Sequence, residues 1–451
     1  MAITVVQKSD LSVRKRNPKV AMVLAGGAIS GGAYTLAGLK ALNDWMVNKD
    51  VTDFDIFVGL SAGAFIAAPI AHGISVEELL KSYDGRSARF SQLKPLDFYH
   101  PNWGEFVGKP LKLAFDSMAM LPRFAVNFTT AMVNPEQRYL ASLIEFLRHP
   151  NWRTADAFLK VLVRMTTTST RIPSPFNYIP SGVFDNRQLE VYIRENLERN
   201  NKKNDFAELY HRRKKSLYVT ALDLDTAERV VFGHDENNEL TISEAVQAAT
   251  AMPGFFKPAR VRGRDYLDGG ITSTSNIDVA IDHGADLIVV YNPFRPVKNQ
   301  LNVRYYKELG TYASDKDRLS EDGVMAVLGQ AFRALLHYRL HRVLKRYEQL
   351  PTFKGDIVLL EPRLEDGAYV DINPLSFFER SKAAEQGYLS VKKALSRDHS
   401  NLRNIFGAYG IESTMVFVDE SAKKIQETPY DEDVISILGK ERIKRDIRLA
   451  M

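Results

Sequence analysis

The chain has no cysteine among its 451 residues. Disulfide scaffolds, thiolate metal sites and cysteine nucleophiles are therefore excluded, and nothing follows about a redox compartment. Charge of one sign is also scarce, since 60 Lys and Arg stand against 55 Asp and Glu for a net of +5. So small an excess argues only weakly for an anionic partner, and no nucleic-acid partner is implied. Long hydrophobic runs are missing too. The uncharged run Ile56 to Ala71 falls about one turn short of a membrane span, and Gly59, Gly63 and Pro69 interrupt it. Residues 1–19 are basic but hold no apolar stretch of signal-peptide length, so no secretory signal is expected. What remains is ordinary for a folded protein, with 45 % hydrophobic and 25 % charged residues and no repeat. Disorder, collagen and coiled coil are excluded as the main architecture.

Short apolar runs mark buried strands at Val20–Leu24, Phe54–Leu60, Leu217–Leu222, Asp286–Tyr291 and Asp356–Leu360. Arg229–Phe232 and the stretch ending at Tyr266-Leu267-Asp268 read as further strands, and Met415–Val418 as one more near the end. Helical spacing appears at Tyr34–Trp45, Ala62–Ala71, Ser243–Met252 with Ser243 as N-cap, Asp278–His283, Phe378–Arg397 and Glu432–Leu449. Strands that alternate with helices imply a parallel sheet covered on both faces, so the expected class is α/β. Between about 85 and 215 the pattern is less regular. Phe106–Val133 there is apolar but broken by Pro110 and Pro122, which fits a lid, an acyl pocket or a packed helical subdomain.

Gly59-Leu60-Ser61-Ala62-Gly63 fits the G-x-S-x-G pattern between a strand reading and a helix reading. A serine on such a turn is held in a strained conformation, and small flanking residues avoid collisions. Its hydroxyl then stands above the sheet at the N-terminus of a helix, where developing negative charge is favoured. The other reading is a tight turn with a buried structural serine. Gly26-Gly27-Ala28-Ile29-Ser30-Gly31-Gly32 follows the first strand and opens a helix, so its N–H groups can converge on an oxyanion or, alternatively, on a phosphate. It fits neither the Walker loop nor G-x-G-x-x-G. Nine histidines are present, at 72, 100, 149, 211, 234, 283, 337, 341 and 399, and none sits in a pattern that marks a base. Asp268 is the better candidate. It ends a strand, Gly269-Gly270 lets the chain turn beside it, and desolvation would raise its pKa toward the task of a base. An ordinary Asp-Gly-Gly turn is the competing reading.

These residues together resemble the patatin-like phospholipases, lipid acyl hydrolases with a Ser/Asp dyad. The family's glycine-rich loop, G-x-S-x-G and D-G-[GA] occur here in order at 26–32, 59–63 and 268–270. Ala251-Met252-Pro253-Gly254-Phe255-Phe256-Lys257-Pro258 and Gly284–Val290 resemble neighbouring family stretches, and the likeness covers roughly 19–295. It implies a three-layer sandwich with a mainly parallel central sheet covered by helices, plus a helical insertion. It also implies Ser61 as nucleophile, Asp268 as base, and Gly26, Gly27, Ala28 and the Ala62 N–H as oxyanion donors. Gly59, Gly63, Gly269 and Gly270 would shape the elbow and the turn. No metal or cofactor is implied. Two departures stand out: Ala28 replaces the third loop glycine with no basic residue shortly after it, and Ile271–Asn276 replaces the usual segment after Asp-Gly-Gly.

The expected organisation is a basic leader at 1–18, a catalytic domain at 19–295 with the insertion at about 85–215, its continuation at 296–398, and an extension at 399–451 of no assigned role. The expected function is cleavage of carboxylic esters in phospholipids or lysophospholipids, with a membrane lipid or lysolipid as substrate. An acyltransferase, a hydrolase of acylglycerol or polyester, and a non-catalytic membrane-binding protein on the same scaffold are the alternatives. Gln330–Leu350 sets Phe332, Leu336, Leu340, Val343 and Tyr347 on one helical face with basic flanks, a pattern that fits an anionic membrane surface or a plain surface helix. The expected location is cytoplasmic, with peripheral membrane attachment left open, and oligomeric state is not legible.

Overall fold

The structure is a computed structural model that describes residues 2–116, 118, 139–166, 175–299, 301–306, 311–315, 317–363, 372–373, 375–428 and 431–441. The chain divides into two compact units, one of residues 1–100 with 184–451 and the other of 101–183.

The larger unit is built on a nine-stranded sheet. Its strands are β1 (Ala2–Gln7), β2 (Val20–Leu24), β3 (Ile56–Gly59), β4 (Ser216–Asp223) and β5 (Arg229–Phe232). They continue with β6 (Ala259–Val261), β7 (Arg264–Asp268), β8 (Leu287–Tyr291) and β9 (Asp356–Glu361). The spatial order is β1-β9-β8-β2-β3-β4-β7-β6, with β5 paired to β4. The five strands from β9 to β4 run parallel, and their near-continuous Val, Ile and Leu content reflects burial on both faces. Antiparallel strands finish both sides of this core. The α/β class with helices over a mainly parallel sheet is thus present.

Helix α1 (Ala28–Trp45) is buried along nearly its whole length, beneath the chain's later helices. It begins six residues before the helix expected from Tyr34, because Gly31 and Gly32 are packed helical positions rather than loop. Burial outweighs their poor helix propensity. Helix α3 (Ile242–Ala249) follows α2 (Ala62–Ala71) in chain order, and its cap is Thr241, not Ser243. Thr241 and Glu244 form a reciprocal capping box, while Ser243 is taken up by Asn204 and Glu190. The strand expected at Met415–Val418 is instead the start of a helix, Val416–Gln426. Val418, Ala422 and Ile425 lie on one buried face at helical spacing, and that period overrides the strand propensity of Val-Phe-Val. Of the terminal helix expected over 432–449, Asp431–Leu438 is helical, and residues from 442 onward lie outside the described ones.

The start of the chain holds more than a basic leader. β1 pairs antiparallel along β9 from Ala2↔Glu361 to Gln7↔Asp356. Just beyond it, the fully buried Asp356 carboxylate accepts from the Lys8 and Ser9 N–H groups at 2.8 and 2.9 Å. It also accepts from the Ser9 hydroxyl at 2.6 Å and the Tyr409 hydroxyl at 2.9 Å. One side chain therefore ties the first strand, the sheet edge and the last helices together. Replacing Asp356 by Ala removes a charged acceptor from four donors, and urea unfolding should show a loss of about 2–4 kcal/mol.

Candidate active site

The register of the sheet brings Ser61 and Asp268 to one level. Gly59 of β3 pairs with Val219 of β4, so Ser61, two residues on, stands level with Ala221. Ala221 in turn pairs with Asp268 on β7. The two residues are thus two strand spacings apart across the sheet, about 10 Å between backbones, which a serine and an aspartate reach across. Both side chains line one cavity, and the Ser61 hydroxyl lies close enough to the Asp268 carboxylate to favour its charged form. The fold thus brings these two candidate residues together.

Each partner is held by backbone that the local sequence makes possible. Ser61 sits between β3 and α2 with φ 52° and ψ −134°, a left-handed region costly for a residue with a Cβ. Its N–H donates to Ala249 O at 3.1 Å, which fixes the turn. Gly63 is obligatory, because a Cβ there would meet the Leu24 carbonyl oxygen at 2.1 Å. Asp268 caps a short 3-10 turn, Gly269–Ile271, and accepts from the Gly270 N–H at 2.8 Å. Its own N–H donates to Ala251 O at 3.0 Å.

The Asp268 side chain is 7 % exposed. Burial penalises its charged form, against the opposing hydrogen bonds from Ser61 and Gly270, and raises the pKa from 3.8 to about 6. The carboxylate is therefore a stronger base than an aspartate in water and is still ionised at neutral pH.

The glycine-rich loop lies against the serine. A Cβ on Gly26 would come 2.9 Å from Ser61 Cβ and 3.3 Å from its Oγ. Gly27 caps α1, whose first N–H groups have no partner within the helix, and the Ala62 N–H stands in the same position at the start of α2. Ala28 occupies the place where the family has glycine, and it takes φ 55°, the conformation glycine would adopt freely. The loop shape is kept at the expense of local strain of about 1–2 kcal/mol.

Two cavities open at Ser61. One, of about 50 Å³, is walled by Ile29, Phe65, Tyr83, Phe98 and Phe255 among others. The second, of about 140 Å³, contains Gly26, Gly27, Ala28, Ser61 and Asp268 beneath Phe294, Phe332, Leu335, Leu336 and Arg339. No described histidine lines either one. An adjoining groove of about 490 Å³ shares Ala28, Met252, Pro253, Phe294 and Phe332 with the second.

The roof of the second cavity was not legible as such. Helix α4 (Val324–Gln349) supplies it, and it is the helix expected to meet a membrane. Its apolar face is turned inward: Leu340 and Leu344 are buried in the sheet's second core cluster, with Val343 and Tyr347 packed beside them. That face is not available to a bilayer. The altered segment after Asp-Gly-Gly explains how α4 is held, since Thr274 Oγ1 donates to Leu336 O at 2.9 Å and Arg339 Nη1 donates to Ile271 O.

Among the described residues, the donor atoms of His337, His341 and Glu361 lie close enough to share an ion. Glu361 is already engaged there, with His341 Nε2 at 2.8 Å, His337 Nδ1 at 3.4 Å and Asn292 Nδ2 donating at 2.8 Å. Burial raises the pKa of this carboxyl, but those hydrogen bonds outweigh it and hold the value down at about 2. Direct bonding accounts for the cluster, which pins α4 to the end of β9.

The sequence matches the profile of the patatin-like phospholipases over residues 22–281, a span that includes the loop, the elbow and Asp268. The chain belongs to that family. Lipid hydrolysis is the activity of this patatin-like chain's family. Among solved structures it is similar to VipD from Legionella pneumophila at 14 % identity and a TM-score of 0.31, over 94 % of this chain and 84 % of that one. It is also similar to ExoU, solved with SpcU from the type III secretion system of Pseudomonas aeruginosa. There the identity is 15 % and the TM-score 0.26, over 96 % and 72 % of the two chains.

The raised pKa of Asp268 is also a statement about stability. The folded protein gains from a neutral Asp268 below pH 3.8, and that gain disappears as pH rises through about 6. At pH 8 the patatin-like chain therefore carries an unfavourable buried charge. Asp268→Asn should raise the melting temperature at that pH, by as much as ~3 kcal/mol of stability, and the gain should shrink toward pH 4. Calorimetry across that range reads both.

Proposed function

We propose that the protein hydrolyses carboxylic esters of phospholipids or lysophospholipids, as a phospholipase A-type enzyme that uses Ser61 and Asp268. The observation that carries this reading is that Ser61, on its strained turn, and the buried, basic Asp268 line one apolar cavity beside the glycine-rich loop. Ser61 Oγ attacks the ester carbonyl carbon while its proton passes to the Asp268 carboxylate. The carbonyl oxygen becomes an oxyanion, met by N–H groups of Gly26, Gly27, Ala28 and Ala62. Collapse breaks the ester C–O bond, and the departing alcohol takes the proton from Asp268. Water then gives a proton to Asp268 and adds to the acyl-serine carbonyl, and Ser61 Oγ departs with that proton from Asp268, which releases the fatty acid and restores both side chains.

The lining favours an acyl chain. Phe294, Phe332, Leu335 and Leu336 offer apolar contact beside Ser61, and the adjoining groove extends the space. Such a lining also keeps water away from the developing charge, which strengthens each N–H contact to it.

Ser61→Ala should lower ester hydrolysis by about 10³-fold or more while the circular dichroism stays unchanged, and Asp268→Asn by about 10²–10⁴-fold. A base must be ionised to accept the proton. The rate at subsaturating substrate should accordingly fall as pH drops through about 6 in the native enzyme. Hydrolysis undiminished in a folded Ser61→Ala protein, measured by fatty-acid release from phosphatidylcholine and lysophosphatidylcholine, would remove the proposal.

A further inference from the structure

The cavity that holds Ser61 and Asp268 has a single cation on its wall. Asp268 and Arg339 are the two charged residues among those that line it, and the smaller cavity at Ser61 is lined by none. The glycine-rich loop contributes no cation, since Gly26–Gly32 contains no basic residue. Arg339 comes instead from the roof helix α4. Phe332, Leu335, Leu336 and Arg339 recur at helical spacing and all line the cavity, so they share one face of that helix. Leu335 is 46 % exposed, which places an opening to solvent on this face, one turn from the half-buried Arg339.

The guanidinium is held there without being neutralised. Its Nη1 donates to the carbonyl oxygen of Ile271, just after Asp268-Gly269-Gly270, and among the described residues no carboxylate pairs with it, Asp268 included. An arginine carries several N–H donors in a planar fork, and one neutral acceptor leaves most of them open. Holding such a charge at the edge of an apolar cavity costs free energy unless an anion meets it. Phosphate oxygens fit the fork in a bidentate way that a neutral ester does not. The substrate class decides whether that anion arrives. In a glycerophospholipid, the phosphodiester lies a short glycerol span from the acyl ester and on its polar side, while the acyl chain extends the other way. An acylglycerol or a polyester brings the ester and the apolar chain but no anion.

We infer that Arg339 sets the specificity of the site by binding the phosphodiester of a glycerophospholipid at the mouth of this cavity, with the acyl chain along Phe294, Phe332 and Leu336 and the ester at Ser61. The inference rests on the proposed phospholipase reading and narrows it to phosphate-bearing esters, but its test needs no catalysis. Two decyl ethers that contain no ester bond, decyl-glycerophosphocholine and decylglycerol, are titrated below their micellar concentrations into the full-length native protein and into Arg339→Gln, and binding is read by calorimetry. The native protein should bind the phosphate-bearing ether about tenfold or more tighter than the neutral one, the margin expected of a charge-assisted contact. Glutamine can still donate to the Ile271 carbonyl but carries no charge, so Arg339→Gln should erase that margin. Absence of a preference for the phosphate-bearing ether in the native protein, or a preference that survives Arg339→Gln, overturns the inference. So does a loss of affinity in Arg339→Gln that is equal for both ethers, because the arginine would then serve only to tether α4. Ester hydrolysis that persists in Ser61→Ala bears on the dyad alone and leaves the ratio of the two ether affinities separately readable.

Discussion

Removal of one carboxylate from water is the constraint on which the candidate site depends. Asp268 accepts from the Gly270 N–H, lies beside the Ser61 hydroxyl and has no described cation paired with it. An arginine beside it would stabilise the charge and lower the pKa, leaving a carboxylate of little use as a base. Two neutral donors only moderate the effect of burial. The basicity is thus set by what is missing from the surroundings as much as by what is there. The fold bears a buried charge that a purely structural site would avoid, and the antiparallel placement of β7 makes this possible by ending the strand beneath an apolar roof.

Backbone strain is concentrated in the same few residues. Ser61 and Ala28 both hold positive φ, and both lie where a parallel strand gives way to a buried helix. Neither turn could persist alone. Each is clamped by neighbours with no room to relax: Gly63 beneath the Leu24 carbonyl, Gly26 against Ser61, Gly27 against Pro293. The two turns therefore constrain one another through direct contact. This explains why an alanine at 28 is compatible with the loop. The surrounding packing dictates the conformation, and the alanine adopts it with a modest local penalty.

The site was legible in the sequence where chemistry and backbone geometry coincide. Glycines at 26, 27, 59, 63, 269 and 270 mark places where another chain segment comes within van der Waals distance or the chain turns sharply, and such demands leave a local trace. Strands β2, β3 and β8 were legible because burial on both faces makes them uniformly apolar. Long-range demands left less. Asp356 collects four donors from positions 8, 9 and 409, and no local pattern announces a partner hundreds of residues away. β1 was read as part of a leader for the same reason: an edge strand is specified by its neighbour. The amphipathic pattern of α4 was read correctly, but a sequence does not say whether an apolar stripe faces a sheet or a membrane.

That ambiguity has a physical resolution in accounting for apolar area. In α4 the stripe is consumed by the sheet through Leu340 and Leu344, and its basic and imidazole flanks are engaged with Glu361, Ile271 and the Phe294 ring. The stripe of Phe332, Leu336, Leu340, Val343 and Tyr347 is thereby turned inward. In residues 101–183 the described apolar side chains are exposed or half-buried. The internal contacts that are present are local: Phe146 stacks on Phe158 at 5.7 Å, and Lys109 bonds to Glu105 and to the Ile179 carbonyl. Such contacts shape helices without hiding their surfaces.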